Sequence, residues 1–429
     1  MSGTTIRAVE AARVWDSRGR PTLEVEVRLA GGASGRAIAP AGASTGRSEA
    51  VDLRDGGEAF AGLDVTRALS SVADVVAPAL AGDDAADQAR IDARLIELDG
   101  TPNKARLGGN ATIATSMAVA HAAAAAAGEP LWRYLNGGRR PRLPLPEIQI
   151  FGGGAHAGRR IDIQDIMVVA VGAADYTQAL DWTAEVYRAA GTLMAAAGRL
   201  AGVADEGGYW PLFDDNEQAL SVLVRAIERA GRTPGAEMAI SLDIAASQFG
   251  GGGRYRLARD GADLDADGLS ALLLGWIERY PIVSIEDPFA EDDEAGWTRF
   301  TAAVGTRVQV VGDDFVVTDA ARVRAAARTG ACNAALIKPN QAGTLTEARA
   351  ALDAARAVGW GAIASARSGE SEDVTIVHLA VGWGIGQLKV GSFARSERLA
   401  KWNEGLRIAR AGGGRGALPA RTAFPWGRR

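Results

Sequence analysis

Apolar and polar residues alternate from Val14 to about Leu29, and again from Gly35 to Ala39, with glycines at the flanks. A period of two with β-branched residues predicts antiparallel strands of a small sheet. Helical spacing then runs to about Tyr134. The segment Asn136–Pro144 mixes chain breakers with charge, which predicts the join between two units, residues 1–137 and 138–429.

Past that join the texture changes to short apolar runs alternating with helical stretches. The runs are Met238–Asp243, Ile282–Glu286, Val308–Asp313, Ala334–Lys338, Gly361–Ser365 and Gly386–Lys389, and each ends on a polar or charged residue. Their last residues lie 43, 27, 25, 27 and 24 positions apart, a strand-plus-helix period that predicts a parallel βα barrel. In such a barrel the strand C-terminal ends converge on one face, where active sites are built. The expected fold is therefore α/β: a small N-terminal α+β domain followed by a (β/α)8 barrel.

Asp243, Glu286 and Asp313 end three successive strands, so the barrel would gather three carboxylates from distant points in sequence. Clustered negative charges repel unless a cation neutralises them, and an all-oxygen set suits Mg2+. The plain alternative is three exposed or helix-capping acids. Lys338 and Lys389 end two further strands. Burial and a cationic neighbour would lower the pKa of one of them toward that of a base, leaving the other to hold a carboxylate; the plain alternative is that both reach solvent. In the small domain, Pro40-Ala-Gly-Ala-Ser-Thr-Gly46 has the small residues of a closing loop, whose Ser44 and Thr45 hydroxyls could reach a ligand.

Composition narrows the function classes. At 429 residues the chain exceeds one ordinary core, and 47% apolar with 23% charged residues describes a globular protein. Its net charge of -5 is spread along the chain, which predicts no nucleic-acid partner. The single cysteine, Cys332, lies in an apolar flank and reads as a packing thiol. The amino-terminal residues lack a charged flank followed by an apolar core. No stretch reaches the roughly 18 apolar residues of a membrane span, so the expectation is a cytoplasmic protein without a membrane partner.

With these residues in view, the chain resembles the enolase family nearly end to end. The resemblance is carried by Ala12-Arg-Val-Trp-Asp-Ser-Arg-Gly-Arg-Pro21, Gly42-Ala-Ser-Thr-Gly46, Ala204-Asp-Glu-Gly-Gly208, Ser284-Ile-Glu-Asp-Pro288, Val311-Gly-Asp-Asp314, Arg367-Ser-Gly-Glu370 and Arg395-Ser-Glu-Arg-Leu-Ala-Lys401. It implies Mg2+ as cofactor, with Asp243, Glu286 and Asp313 on the first ion and Ser44 joining the second. It further implies Lys338 as the base at C2 and Glu206 as the acid at the C3 hydroxyl. Lys389 would hold the substrate carboxylate, Arg367 and Ser368 the phosphate, and His156, Gln164 and Asp165 would contact substrate. The implied partner is a small phosphorylated carboxylic acid, and the implied assembly a homodimer or a higher homo-oligomer.

The chain also departs from the family. Ala366 stands where enolases carry histidine, Asp165 replaces a glutamate, Gly152 and Ala155 replace Asn and Ser, and Arg47-Ser48 replace the usual residues after the loop. Two expectations compete. The favoured one reads the smaller side chains as room for a second substrate, as in carboxyphosphonoenolpyruvate synthase of phosphonate-antibiotic biosynthesis, which would take a nucleotide-activated phosphonate. The other is an ordinary enolase dehydrating 2-phosphoglycerate to phosphoenolpyruvate. A third, from a different class, is a catalytically dead binding or scaffold protein, against which the intact charged set argues.

Overall fold

A computed structural model describes residues 2–43 and 46–427. The chain opens on an antiparallel meander of β1 (Ile6–Trp15), β2 (Pro21–Leu29) and β3 (Ser34–Ile38). On β2, Leu23, Val25, Val27 and Leu29 are buried while Glu24, Glu26 and Arg28 face outward, the alternation of a sheet with one packed face. The first strand begins at Ile6, well before the alternation expected from Val14. Its outer residues include Glu10 and Arg13, and Trp15 is half exposed, so apolarity marks its path poorly.

The buried face of the meander packs on the alanine-rich helix Gly109–Ala126. Small side chains let the two backbones approach closely. At Gly35 an added Cβ would lie 2.1 Å from Ala122 N and 2.5 Å from Ala118 O, so only glycine fits there. Further contacts tie this unit to the barrel. Asp92 accepts from Thr346 N at 2.9 Å and Thr346 Oγ1 at 2.6 Å, and Lys104 pairs with Glu347 at 2.8 Å.

The barrel strands are β4 (Leu145–Gly152), β5 (Asp165–Val169) and β6 (Ala239–Asp243). After a small outer sheet of β7 (Gly250–Gly251), β8 (Arg254–Leu257) and β9 (Ala262–Asp265), the barrel continues with β10 (Ile282–Glu286) and β11 (Gln309–Gly312). It is completed by β12 (Ala334–Ile337), β13 (Gly361–Ser365) and β14 (Gln387–Lys389), and it closes in the order β10-β11-β12-β13-β14-β4-β5-β6. Six of these strands stand where the apolar runs predict them, within a residue at either end. The pairs β6–β10 through β14–β4 are parallel.

The all-parallel expectation fails at β5, which runs antiparallel to both β4 and β6. Between β4 and β5 there is only the short 3-10 turn Gly154–Ala157. A parallel return needs a crossover, ordinarily a helix, and none is available here, so the chain folds back on itself. Val311, Ala334, Leu336 and Ile363 fill part of the barrel interior. Phe424 and Trp426, stacked 4.6 Å apart, close its far end against Leu145 and Val169. Cys332 is buried just ahead of β12, and burial pushes its thiol well up, as a packing residue requires.

Candidate active site

Strand register builds the floor of the site. Asp165, Asp243 and Glu286 are Cα partners across β5, β6 and β10, and Asp313 directly follows β11. All four are buried, with 1–4% exposure. Lys338 follows β12 and Lys389 ends β14, where Glu147 and Ser365 are its register partners.

These groups meet in a narrow cleft with a free volume of about 10 Å³, lined by His156, Glu206, Asp243, Lys338, Arg367 and Lys389 among others. Lys389 Nζ donates to Asp243 Oδ2 and to Glu286 Oε2, each at 2.8 Å, and lies 3.1 Å from Asp165 Oδ2. Lys338 Nζ donates to Asp313 Oδ2. Gln164 Nε2 donates to Asp243 Oδ2 at 2.9 Å. His156 places Nδ1 3.2 Å from Asp165 Oδ1 and Nε2 3.0 Å from Ser368 Oγ and 3.6 Å from Glu206 Oε1. Arg367 donates to both oxygens of Glu49, at 2.9 and 3.3 Å. Ser44 lies outside the described residues.

The loop segment before Ser44 is fixed to the phosphate-site candidates. Ala41 and Gly369 exchange backbone hydrogen bonds at 2.9 and 2.8 Å, joining the small domain to the turn that carries Arg367 and Ser368. On the other flank, Arg47 reaches Glu291 at 2.7 Å across the barrel mouth.

The electrostatics correct one expectation. Burial, the largest single influence, lowers the pKa of Lys338, but the charges of Asp313 and Glu286 together outweigh it and the net shift is upward. Lys389 is treated likewise: burial opposes its charge, yet Asp243 and Glu286 hold it well above the ordinary lysine value. In this arrangement neither lysine is the lowered base that burial alone predicts, because each has found a carboxylate. Burial and then Asp243 push Glu286 well up, and burial and then Asp313 push Asp314 up to about 8.

Among the described residues, the sets of three possible metal-ligand side chains with ligand atoms all within 4.8 Å are Asp287–Asp313–Asp314 and His156–Asp165–Glu206. The expected trio of Asp243, Glu286 and Asp313 is not so tight, because Lys389 draws two of its members and Lys338 the third. Asp287 accepts from the backbone N–H groups of Asp313 and Asp314 at 2.8 and 2.9 Å, which commits both its oxygens to shaping that turn. The trio nevertheless fits a hard divalent ion. Its members sit on adjacent strands, Glu286 Oε1 is buried with no hydrogen-bond partner, and two ammonium groups already crowd onto the carboxylates.

The family model described as "Enolase, N-terminal domain" matches residues 6–135, and the one described as "Enolase, C-terminal TIM barrel domain" matches residues 141–421. The chain belongs to the enolase family. It is also 46% identical over 427 residues to "Enolase 1" of Desulfitobacterium hafniense (strain Y51), covering 99% of this chain and 98% of that protein. Enolases are lyases that typically use Mg2+, and the carboxylates described above are groups that could hold it.

Against that family, the replaced side chains do not open an enlarged pocket at Gly152. A Cβ there would lie 2.6 Å from Ala204 Cβ and 3.3 Å from Gln149 Nε2, so this chain's own residues have taken the space. Ala366 lines the cleft and is 8% exposed. Its backbone N–H donates to Lys389 O at 2.9 Å.

Several contributors escaped the sequence reading. Gln149 and Gln341 are buried glutamines bonded to Asp165 and Asp313 respectively, and Glu147 lies under Lys389 with its carboxyl pushed up by burial. Nothing in the local pattern distinguishes a glutamine on a buried strand or turn. Asp287 and Asp314 were more accessible to inspection, since each directly follows a strand-end acid in sequence.

Among the described residues, no helix is long and apolar enough to cross a membrane.

Proposed function

We propose that this enolase-family chain dehydrates 2-phosphoglycerate to phosphoenolpyruvate. The observation that carries the reading is that Lys338 and Glu206 line one buried cleft together with Arg367, Ser368 and Lys389. A base, an acid and anion-binding groups thus converge on one cleft, the set of groups that a small phosphorylated acid requires.

In this reading Lys338 Nζ takes the C2 proton once Asp313 is otherwise engaged, since that contact is what holds it charged. The C–H electron pair is first taken up by the neighbouring carboxylate as an enolate. Glu206 then gives its proton to the C3 hydroxyl, the C3–O bond breaks to release water, and the stored pair becomes the C2–C3 double bond. His156, 3.6 Å from Glu206 and bonded to Ser368, orients the leaving-group side of the cleft. Arg367 and Ser368 hold the phosphate and Lys389 the carboxylate, with Gln164 and Asp165 at the substrate's flank.

Asp243, Glu286 and Asp313 would hold Mg2+, with Ser44 for a second ion. Mg2+ bound there supplies positive charge against the second negative charge that proton removal places beside the carboxylate. The same reading places the protein in the cytoplasm as a homodimer or higher homo-oligomer.

The full-length likeness to a protein named Enolase 1 supports dehydration over the condensing reading with an activated phosphonate, which the comparisons do not support. The filled space beside Gly152 favours the same choice. The test is an assay of purified protein with Mg2+ and 2-phosphoglycerate. It follows the ultraviolet absorbance of phosphoenolpyruvate and the exchange of C2 hydrogen with solvent deuterium. Both signals are expected; their joint absence would leave the scaffold reading standing.

A further inference from the structure

Gln149 lies on β4, is 1% exposed, and has both ends of its side-chain amide committed. Oε1 accepts from Gly208 N at 2.8 Å, and Nε2 donates to Asp165 Oδ1. The first bond fixes the orientation of the second, because an amide whose oxygen faces an N–H must turn its NH2 toward the carboxylate. Gly208 is in the turn that carries Glu206. There is no spare room at this contact, since a Cβ on Gly208 would lie 2.5 Å from Gln149 Oε1.

Asp165 is therefore joined to the Glu206 turn by two routes. One passes through His156, whose Nδ1 faces Asp165 and whose Nε2 faces Glu206; the other passes through Gln149 and Gly208. The same turn is anchored to the strand's surroundings. Ser392 N donates to Glu206 O at 2.9 Å, Ser392 Oγ donates to Gln149 O, and Tyr209 N donates to Ile150 O at 2.8 Å. The contacts form a closed ring in which the length of one side chain sets the spacing of the others.

We propose that Gln149 is a positioning residue, which holds the Asp165 carboxylate and the Glu206 turn at the spacing that proton delivery to the leaving group requires. The proposal rests on the dehydration reading above. Its physical content is length: asparagine is shorter by one carbon–carbon bond, about 1.5 Å, and a misplacement near 1 Å costs roughly a hundredfold in rate. Glutamate at 149 would set a carboxylate against Asp165, and methionine would fill the volume without either bond.

The test is a double-mutant cycle that moves one methylene across the Gln149–Asp165 bond. Q149N and D165E alone are each expected to lower kcat about tenfold or more, with KM changed less than about threefold. The Q149N/D165E pair, which restores the summed length, is expected to be about tenfold faster than either single variant. A pair as slow as the product of the two single effects overturns the proposal, as does a Q149M enzyme with wild-type kcat. Should Q149M fail to fold, Q149N keeps a buried amide and carries the test.

Wild-type turnover is measured first. Its absence removes the dehydration reading, whereas normal turnover together with unaffected Gln149 variants removes only this inference. A crystal structure of Q149N decides independently of turnover: a displaced Asp165 carboxylate or Glu206 turn is expected, and unchanged positions of both overturn the proposal.

Discussion

Lys389 and Glu286 form a buried ion pair, with Nζ 2.8 Å from Oε2 and each side chain under a tenth exposed. The same ammonium holds Asp243 and lies 3.1 Å from Asp165, so one cation faces acids from three adjacent strands. Lys389→Met should leave these carboxylates facing each other and lower the stability of Mg2+-free protein by about 3–5 kcal/mol. Added Mg2+ should then recover more stability in the variant than in wild type, measured by denaturant unfolding with and without the ion. Equal recovery in both would mean that the ion does not bind these carboxylates.

The two proposed proton-transfer residues are separable. Lys338→Met should reduce both C2 hydrogen exchange and dehydration by about a thousandfold. Glu206→Gln should retain exchange while losing dehydration to a similar degree, because the first proton leaves before the second arrives. Mass spectrometry of recovered substrate, run beside the absorbance assay, measures the split. A Glu206→Gln protein that loses both equally would remove Glu206 from the leaving-group role.

Gly35→Ala should destabilise the small domain by about 3 kcal/mol, since its methyl meets the helix backbone at Ala122 and Ala118 and not a movable side chain. Thermal unfolding measures this. A shift of less than a degree would show that β3 and the helix can separate without loss.

Glu404, hydrogen-bonded by His378, has its carboxyl held below the usual glutamate value, chiefly by that bond. A depressed folded pKa stabilises the fold above the unfolded-state value, near 4.3, and the contribution is lost as pH falls through the lower folded value. Glu404→Gln should therefore lower stability near neutral pH and flatten its decline below about pH 4.5. Parallel melting curves for variant and wild type at low pH would argue against the linkage.

Much of the barrel was legible because its signal is local. Apolar runs ending at Asp243, Glu286, Lys338, Ser365 and Lys389 each state in a few consecutive residues both that a strand exists and what stands at its mouth. β4 and β5 were not read this way. The β4 stretch carries Glu147 and Gln149 in its apolar run, and those polar groups find partners only inside the closed barrel.

The sequence by itself determined the order of elements, the residues at the strand ends and the family likeness, since periodicity and end chemistry need only near neighbours along the chain. Tertiary structure decided the reversed direction of β5, the capture of Asp243, Glu286 and Asp313 by two lysines, and the tie from Gln149 to both Asp165 and Gly208. Those outcomes depend on distances between groups far apart in the chain. Closing the barrel, which buries charge and leaves each group only the partners within reach, is what fixes them.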